Sequence, residues 1–264
     1  MEKREEAKMF NMISSELYRL RKSKSFWIML VVVAGMAAFT SVVFGLLPAE
    51  DLMGMRPESA SAMLAGAIPM SMQTILFILV GFIVVFVCSD FDSGTIRNPL
   101  AVGVSRLEYY ISKFVGILIT CAIYIVITVI ATGLPYLAFE PWGDGLNLAN
   151  FMGSVGIGYL ILVAQATLFM AIGMMARKIG ATLGIVLGYL VLDMIISAFI
   201  MMVEVEGIVR SLANIFPSAA GFYLGEVTIG AASIGNVMMV IVVSVVLIVV
   251  MSLLAIGSLV KKDV

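Results

Sequence analysis

Asp193 is the one formal charge inside any of six long apolar stretches of this 264-residue chain. An ionised carboxylate at membrane depth costs roughly 2.5–3.5 kcal/mol on insertion scales, so it must be shielded from lipid. At 3.6 residues per turn, Thr182, Tyr189, Asp193 and Ser197 share one helical face, and Gly180, Gly184 and Gly188 line the opposite one. The glycine stripe permits close approach of another helix. Gln73 and Gln165, in two other apolar stretches, are candidate partners of Asp193. Two readings fit these polar residues. Either Gln73, Gln165, Thr182, Tyr189, Asp193 and Ser197 border a translocation path, or Asp193 bonds neighbouring helices, where such bonds contribute only about 0.6 kcal/mol each. A proton relay is poorly supported, since the chain has no histidine and no second carboxylate, Lys or Arg inside the apolar stretches.

The same inventory excludes other chemistry. Without histidine there is no Ser–His dyad and no histidine-based metal site, and no GxxxxGK[ST] phosphate loop occurs. No close pair of carboxylates sits at membrane depth, which leaves an aspartyl-type protease unsupported. No catalytic residue and no metal ligand is therefore expected, and the chain cannot hydrolyse ATP through a P-loop. Cys88 and Cys121 have neither metal nor disulfide spacing and read as buried thiols. Twenty methionines read as core filling or, alternatively, as adaptable packing around a varied cargo.

The elements that must position these residues are the apolar stretches 26–47, 67–88, 114–139, 151–176, 179–203 and 234–260. Each is long enough for the roughly 20 helical residues that cross a bilayer. With 62% hydrophobic and 12% charged residues, and a mean hydropathy of +1.12, the chain is too apolar for a soluble domain. The expected fold is an all-α integral membrane protein, a single domain over 1–264 with six transmembrane helices. If both termini are cytoplasmic, Lys3, Arg4, Lys8, Arg19, Arg21, Lys22, Lys24, Arg97, Arg106, Lys113, Arg177, Lys178, Lys261 and Lys262 lie inside, leaving Arg56 and Arg210 outside. That asymmetry satisfies the positive-inside rule. The near-zero net charge carries no information about partners, and nothing points to nucleic acid. The first stretch is too long for the core of a cleaved signal peptide and reads as a retained helix.

Between the spans, residues 7–24 place Met9, Phe10, Met12, Ile13, Leu17 and Leu20 on one face, as an amphipathic helix lying in the interface plane would. A basic segment serving orientation alone is the plainer reading. Residues 89–113, SDFDSGTIRNPLAVGVSRLEYYISK, have an internal plan. Asp92 and Ser93 are placed to cap a short helix beginning at Gly94 and Thr95, limited by Pro99 and Gly103. Ser105 and Glu108 have capping-box spacing and start the helix that runs into the third span. The loop is read as an exposed docking element, against a solvated connector. Residues 204–233 form two apolar runs of about ten residues around Pro217, too short to span. They suggest a re-entrant hairpin dipping into the outer leaflet, with a partner-binding surface loop as the alternative.

The ELYRLRKSKSFWIM segment leading into the first span, the DSGTIRNPLAVGVSRLEYYISK loop and the six-span layout resemble ABC-2-type exporter permeases, most of all the bacitracin and lantibiotic export or immunity branch. The resemblance covers nearly the whole chain through loose motifs. It implies a coupling helix in the first cytoplasmic loop that seats in a separate ATPase, involving Asp92, Gly94, Thr95, Arg97, Arg106 and Lys113. It implies two ATPase subunits that use ATP and Mg, a second permease subunit, identical or related, and a bacterial plasma membrane location. This chain itself would bind no cofactor. The second and fifth spans would border the path. The competing class is an ion-gradient-driven secondary transporter, for which midplane charges and inverted repeats are expected. Asp193 alone is thin support for it.

Overall fold

The computed structural model describes residues 2–48, 56–143, 146–202 and 216–261. Among them every regular element is helical: α1 (Glu2–Lys22), α2 (Lys24–Leu46), α3 (Ala60–Asp92), α4 (Arg97–Ala101), α5 (Arg106–Tyr136), α6 (Leu148–Ala176), α7 (Ile179–Met202), α8 (Pro217–Thr228) and α9 (Ile234–Lys261). Six of these, α2, α3, α5, α6, α7 and α9, are long and apolar enough to cross a membrane. The spans begin where side chains can take over orphaned backbone donors. Ser23 accepts from Phe26 N, Ser59 from Ala62 N, and Asn147 from Ala149 N and Asn150 N.

Several helices outrun the stretches that hydropathy marked. The second span starts at Ala60 rather than Ala67, because Ser59 caps it and Pro69 is absorbed inside the helix, and it continues to Asp92 rather than Cys88. The third begins at Arg106, eight residues before Phe114, on the expected capping box: Ser105 Oγ accepts from Glu108 N at 3.1 Å and Glu108 Oε2 from Ser105 N at 2.6 Å. α6 ends at Arg177 in the left-handed region, φ +58°, which allows the tight turn into α7.

α3 and α6 form the centre of the bundle. α3 packs against α2, α5, α6, α7 and α8, and α6 against α3, α5, α7, α8 and α9. By contrast α2, α7 and α9 leave most of their surface outward, including Trp27, Phe39, Phe199 and Leu253. At one end lie α1, α4 and most of the basic residues. At the other, Arg56 pairs with Glu140 at 2.7 Å, and Tyr136 Oη donates to Pro57 O at 2.7 Å.

α1 packs along α5 with Leu20 buried and Met12 and Leu17 against the core, and its inward face departs from the expected one at two residues. Phe10 is 70% exposed, whereas Glu16 is 1% exposed. The second run of the predicted hairpin is α8, twelve residues lying against α3, α6 and α7 with Tyr223 and Leu224 buried. The first run, with Arg210, lies outside the described residues.

Candidate functional site: the basic end and the intramembrane polar residues

After α3 ends at Asp92 the chain must reverse, and Gly94 supplies the turn at φ +67°, a region that disfavours side chains with a Cβ. Ile96 then tucks inward at 3% exposure, and its N–H donates to Asp90 O at 3.1 Å. α4 follows with Arg97, Asn98 and Ala101 outward, and the chain turns again at Gly103, φ +84°, beside an 80% exposed Val102. The result is a short knob anchored by one apolar plug.

The short helix begins three residues later than its predicted first turn, at Arg97, and no side chain caps it. Ser93 closes α3 instead, its hydroxyl donating to Ser89 O. Asp92 reaches across the bundle, where its Oδ2 accepts from Ile179 N at 3.2 Å. A carboxylate at the start of α7 satisfies an orphan donor and complements the helix dipole, so Asp92 ties the root of the loop to another span.

Beneath the knob lies a charge cluster that the loop reading missed. Lys113 Nζ, wholly buried, stands 2.9 Å from Glu16 Oε2, 2.8 Å from Asp90 Oδ2 and 3.0 Å from Phe86 O. It also sits 4.2 Å above the Phe86 ring. Arg19, about half exposed, closes the cluster from outside at 2.8 Å from Glu16 Oε1 and 2.6 Å from Asp90 Oδ1. The hydrogen bond to Asp90 and the Glu16 charge, outweighing desolvation, push the Arg19 guanidinium pKa up. Tyr109 Oη donates to Asp90 Oδ2 at 3.0 Å and Thr95 Oγ1 to Oδ1 at 3.5 Å. One carboxylate thus gathers donors from α1, α5 and the loop. Two anions and two cations balance, which is the condition under which buried charge is tolerated. Lys113, expected among the docking residues, faces inward here.

Arg106 is likewise occupied within the chain. Its Nη1 donates to Leu259 O at 2.7 Å and Val260 O at 2.6 Å, and Arg177 Nη2 donates to Ser258 O at 3.2 Å. Two cations therefore cap the carbonyl end of α9, where the helix dipole favours positive charge. Of the six loop residues singled out in the sequence, Asp92, Gly94, Thr95 and Arg97 lie exposed on the knob, Arg106 is half-buried and Lys113 is buried.

Within the spans, the polar face of α7 turns inward. Thr182 and Asp193 have no exposed surface and Ser197 has 3%. Tyr189 Oη donates to Gln165 Oε1 on α6 at 2.9 Å, which brings two of the predicted residues together one turn from Asp193. Thr182 belongs to a different neighbourhood at the basic end, 3.3 Å from Cys88 Sγ, and Gln73 is half-buried on α3. Gly180, Gly184 and Gly188 face away from the bundle, with nothing among the described residues within 4 Å of where a Cβ would stand.

Residues 12–193 match the family described as ABC-2 family transporter protein. The chain belongs to that family. No curated protein matches it. As an ABC-2 protein it is a multi-pass membrane permease subunit of an ABC transporter, and membership implies association with an ABC ATPase. The matched region takes in the knob and the entire Glu16–Arg19–Asp90–Lys113 cluster. Glu16 and Asp90 were not singled out from the sequence, although one signal was present. Glu16 sits four residues from both Met12 and Leu20 on the predicted apolar face of α1, a carboxylate where burial requires a partner.

Proposed function

We propose that this ABC-2 permease receives mechanical work from a separate ATPase through the knob at 92–103, and uses it to move an amphiphilic or peptide cargo, antimicrobial peptides among the candidates, out of the cell or its membrane. The observation that carries the proposal is the root of the knob. Asp90 and Asp92 join it to α1, α5 and α7 at once, through Arg19, Lys113, Tyr109 and the start of α7. A displacement of the exposed α4 cannot be absorbed locally in such an arrangement, and must move the spans it is tied to. Packed helices transmit strain because their interiors are not compressible.

In this proposal the basic end and both termini face the cytoplasm of a bacterial cell. ATP and Mg are bound and used by the partner, two ATPase copies serving two permease subunits, identical or related. The docking contacts come from Thr95, Arg97 and Val102 on the knob, while Lys113 and Arg106 hold its base. The polar face of α7, with Tyr189 and Asp193, borders the moving part of the bundle together with Gln165 on α6.

The test combines Arg97→Glu with Gly94→Val, which reverses the exposed charge and strains the turn by about 1–2 kcal/mol. Co-purification of the ATPase and ATP-dependent transport in vesicles are read together. Association should fall about tenfold or more, the factor that 1.4 kcal/mol of lost binding produces. The control, Arg56→Glu at the opposite end, should leave association intact. Unchanged association and unchanged transport in the double variant overturn the coupling assignment.

A further inference from the structure

In the half of the bundle away from the basic end, α5 carries hydroxyls at four-residue spacing, Thr120, Tyr124, Thr128 and Thr132, all buried. Thr120 Oγ1 donates back to Gly116 O, but the hydroxyls of Tyr124, Thr128 and Thr132 have no hydrogen-bond partner among the described residues. A buried hydroxyl without a partner costs about 1–3 kcal/mol by mutational measures, so three along one stripe call for something to meet them. At Thr128 the structure supplies the space. A cleft between α2, α3 and α5 has Thr128 and Ser71 at its floor, Thr40 and Thr74 half-buried on its walls, and the side chains of Met36 and Met70 on its rim. Its enclosed space is about that of one water molecule, and the rest is open to the surroundings.

Three features of the lining define what fits. Among the described residues no charged one lines the cleft, so an ionised headgroup would find no counter-charge from them there. The floor offers hydroxyls, each able to donate and accept. The rim is methionine, about 46% and 43% exposed at Met36 and Met70, a surface that adapts to an alkyl chain. Both rim residues lie on helices apolar and long enough to span the bilayer, so the cleft opens sideways, toward the bilayer's hydrocarbon. The enclosed floor admits a group of about water size.

We propose that this cleft is a lateral binding site for an uncharged amphiphile, which places one hydroxyl or amide group against Thr128 and Ser71 and lays its chain between Met36 and Met70. The same chemistry is offered by a neutral membrane lipid and by a neutral amphiphilic cargo. The site is independent of the knob at the other end and stands without any ATPase.

The full chain is reconstituted in phosphatidylcholine nanodiscs with a long-chain primary alcohol bearing a diazirine near its hydroxyl, or with the methyl ether of the same chain. After irradiation, labelled peptides are quantified by mass spectrometry. The alcohol should label the α2 segment around Met36–Thr40 and the α3 segment around Met70–Thr74 about fivefold more than the ether, the factor that one hydrogen bond of about 1 kcal/mol gives. Thr128→Val with Ser71→Ala should reduce alcohol labelling to the ether level. Thr128→Ser should retain it. The Thr128 hydroxyl has no partner to lose among the described residues, so the valine variant should unfold at or above the wild-type midpoint, which separates a lost site from a lost fold. Equal labelling by alcohol and ether, labelling unmoved by the double variant, or equal labelling of the outward α9 overturns the proposal; the first is also the result expected if water alone fills the floor. With an assembled ATPase and ATP, loss of alcohol labelling marks the ligand as cargo and retention marks it as resident lipid; both support the site. Failure of the site would leave the coupling reading standing, since neither arm of that test involves Thr128.

Discussion

Replacing Lys113 by methionine keeps the length of the side chain and removes the charge at the centre of the basic-end cluster. In the native protein the ammonium sits within 3.0 Å of two carboxylates and a backbone carbonyl, with no exposed surface. Without it, Glu16 and Asp90 face each other in the interior with only Arg19 to balance two charges. Breaking a buried pair from one side costs about 3–5 kcal/mol, because the partner is left uncompensated. Arg19 is bonded to the same carboxylates but is about half exposed, so water can enter where it stood and Arg19→Met should cost less than Lys113→Met, about 1–3 kcal/mol. Asp90→Asn alone should resemble Lys113→Met, leaving an excess positive charge. The double variant Lys113→Met, Asp90→Asn retains only the Glu16–Arg19 pair, which is neutral, and its loss should fall short of the sum of the singles by about 2–3 kcal/mol. Equilibrium unfolding in mixed micelles measures all four variants against wild type. Additive losses, or a Lys113→Met cost no greater than that of Arg19→Met, would refute the claim that this is one buried, charge-balanced unit.

Two further outcomes follow from packing. The Cβ of Gly158→Val would stand 2.7 Å from Ile68 Cγ2 at the α3–α6 contact, and should lower stability by about 1–3 kcal/mol in the same unfolding assay. Alanine at Gly184, on the outward face of α7, should leave it equal or slightly higher, since Gly→Ala in a helix favours folding by up to about 1 kcal/mol. Cys88 and Cys121 are both buried, so a maleimide should modify neither in the folded protein and both after unfolding; rapid modification of Cys88 would contradict its packing against Thr182.

The number of spans was legible because hydrocarbon-crossing helices are selected by a single quantity, apolar length, that a window over the sequence reads directly. Their ends were not, because ends are set by individual hydrogen bonds. Hydropathy could not see that Ser59 would start α3 seven residues early, nor that Pro69 would be carried inside it. The capping box at Ser105 and Glu108 was readable since both partners lie within one turn. Asp92 shows the limit of the same logic. Its type suits a cap, and it does cap a helix, but the helix is α7, far along the chain, because the bundle brings Ile179 N within 3.2 Å of its carboxylate. The inward polar face of α7 was legible from 3.6-residue periodicity; its division between the Gln165 and Cys88 neighbourhoods depended on which helices pack beside it.

The charge cluster explains why a basic loop and a basic amino-terminal segment are poor guides to a docking surface when read by charge alone. A lysine contributes to the positive-inside count whether it faces water or a buried carboxylate. Lys113 is counted with the cytoplasmic cations, yet it holds α5 against α1 and α3. Arg106 and Arg177 are counted there too, yet both close the carbonyl end of α9. What remains outward on the knob is Arg97 and Asp92 with small polar and apolar neighbours, a surface that the proposed docking would read by shape and few charges. In the proposed coupling, a partner pressing there would meet a helix of five residues with little core of its own, and the force would pass to Asp90 and Asp92 beneath it. The cations withheld from the surface are the ones that join this point to the rest of the bundle.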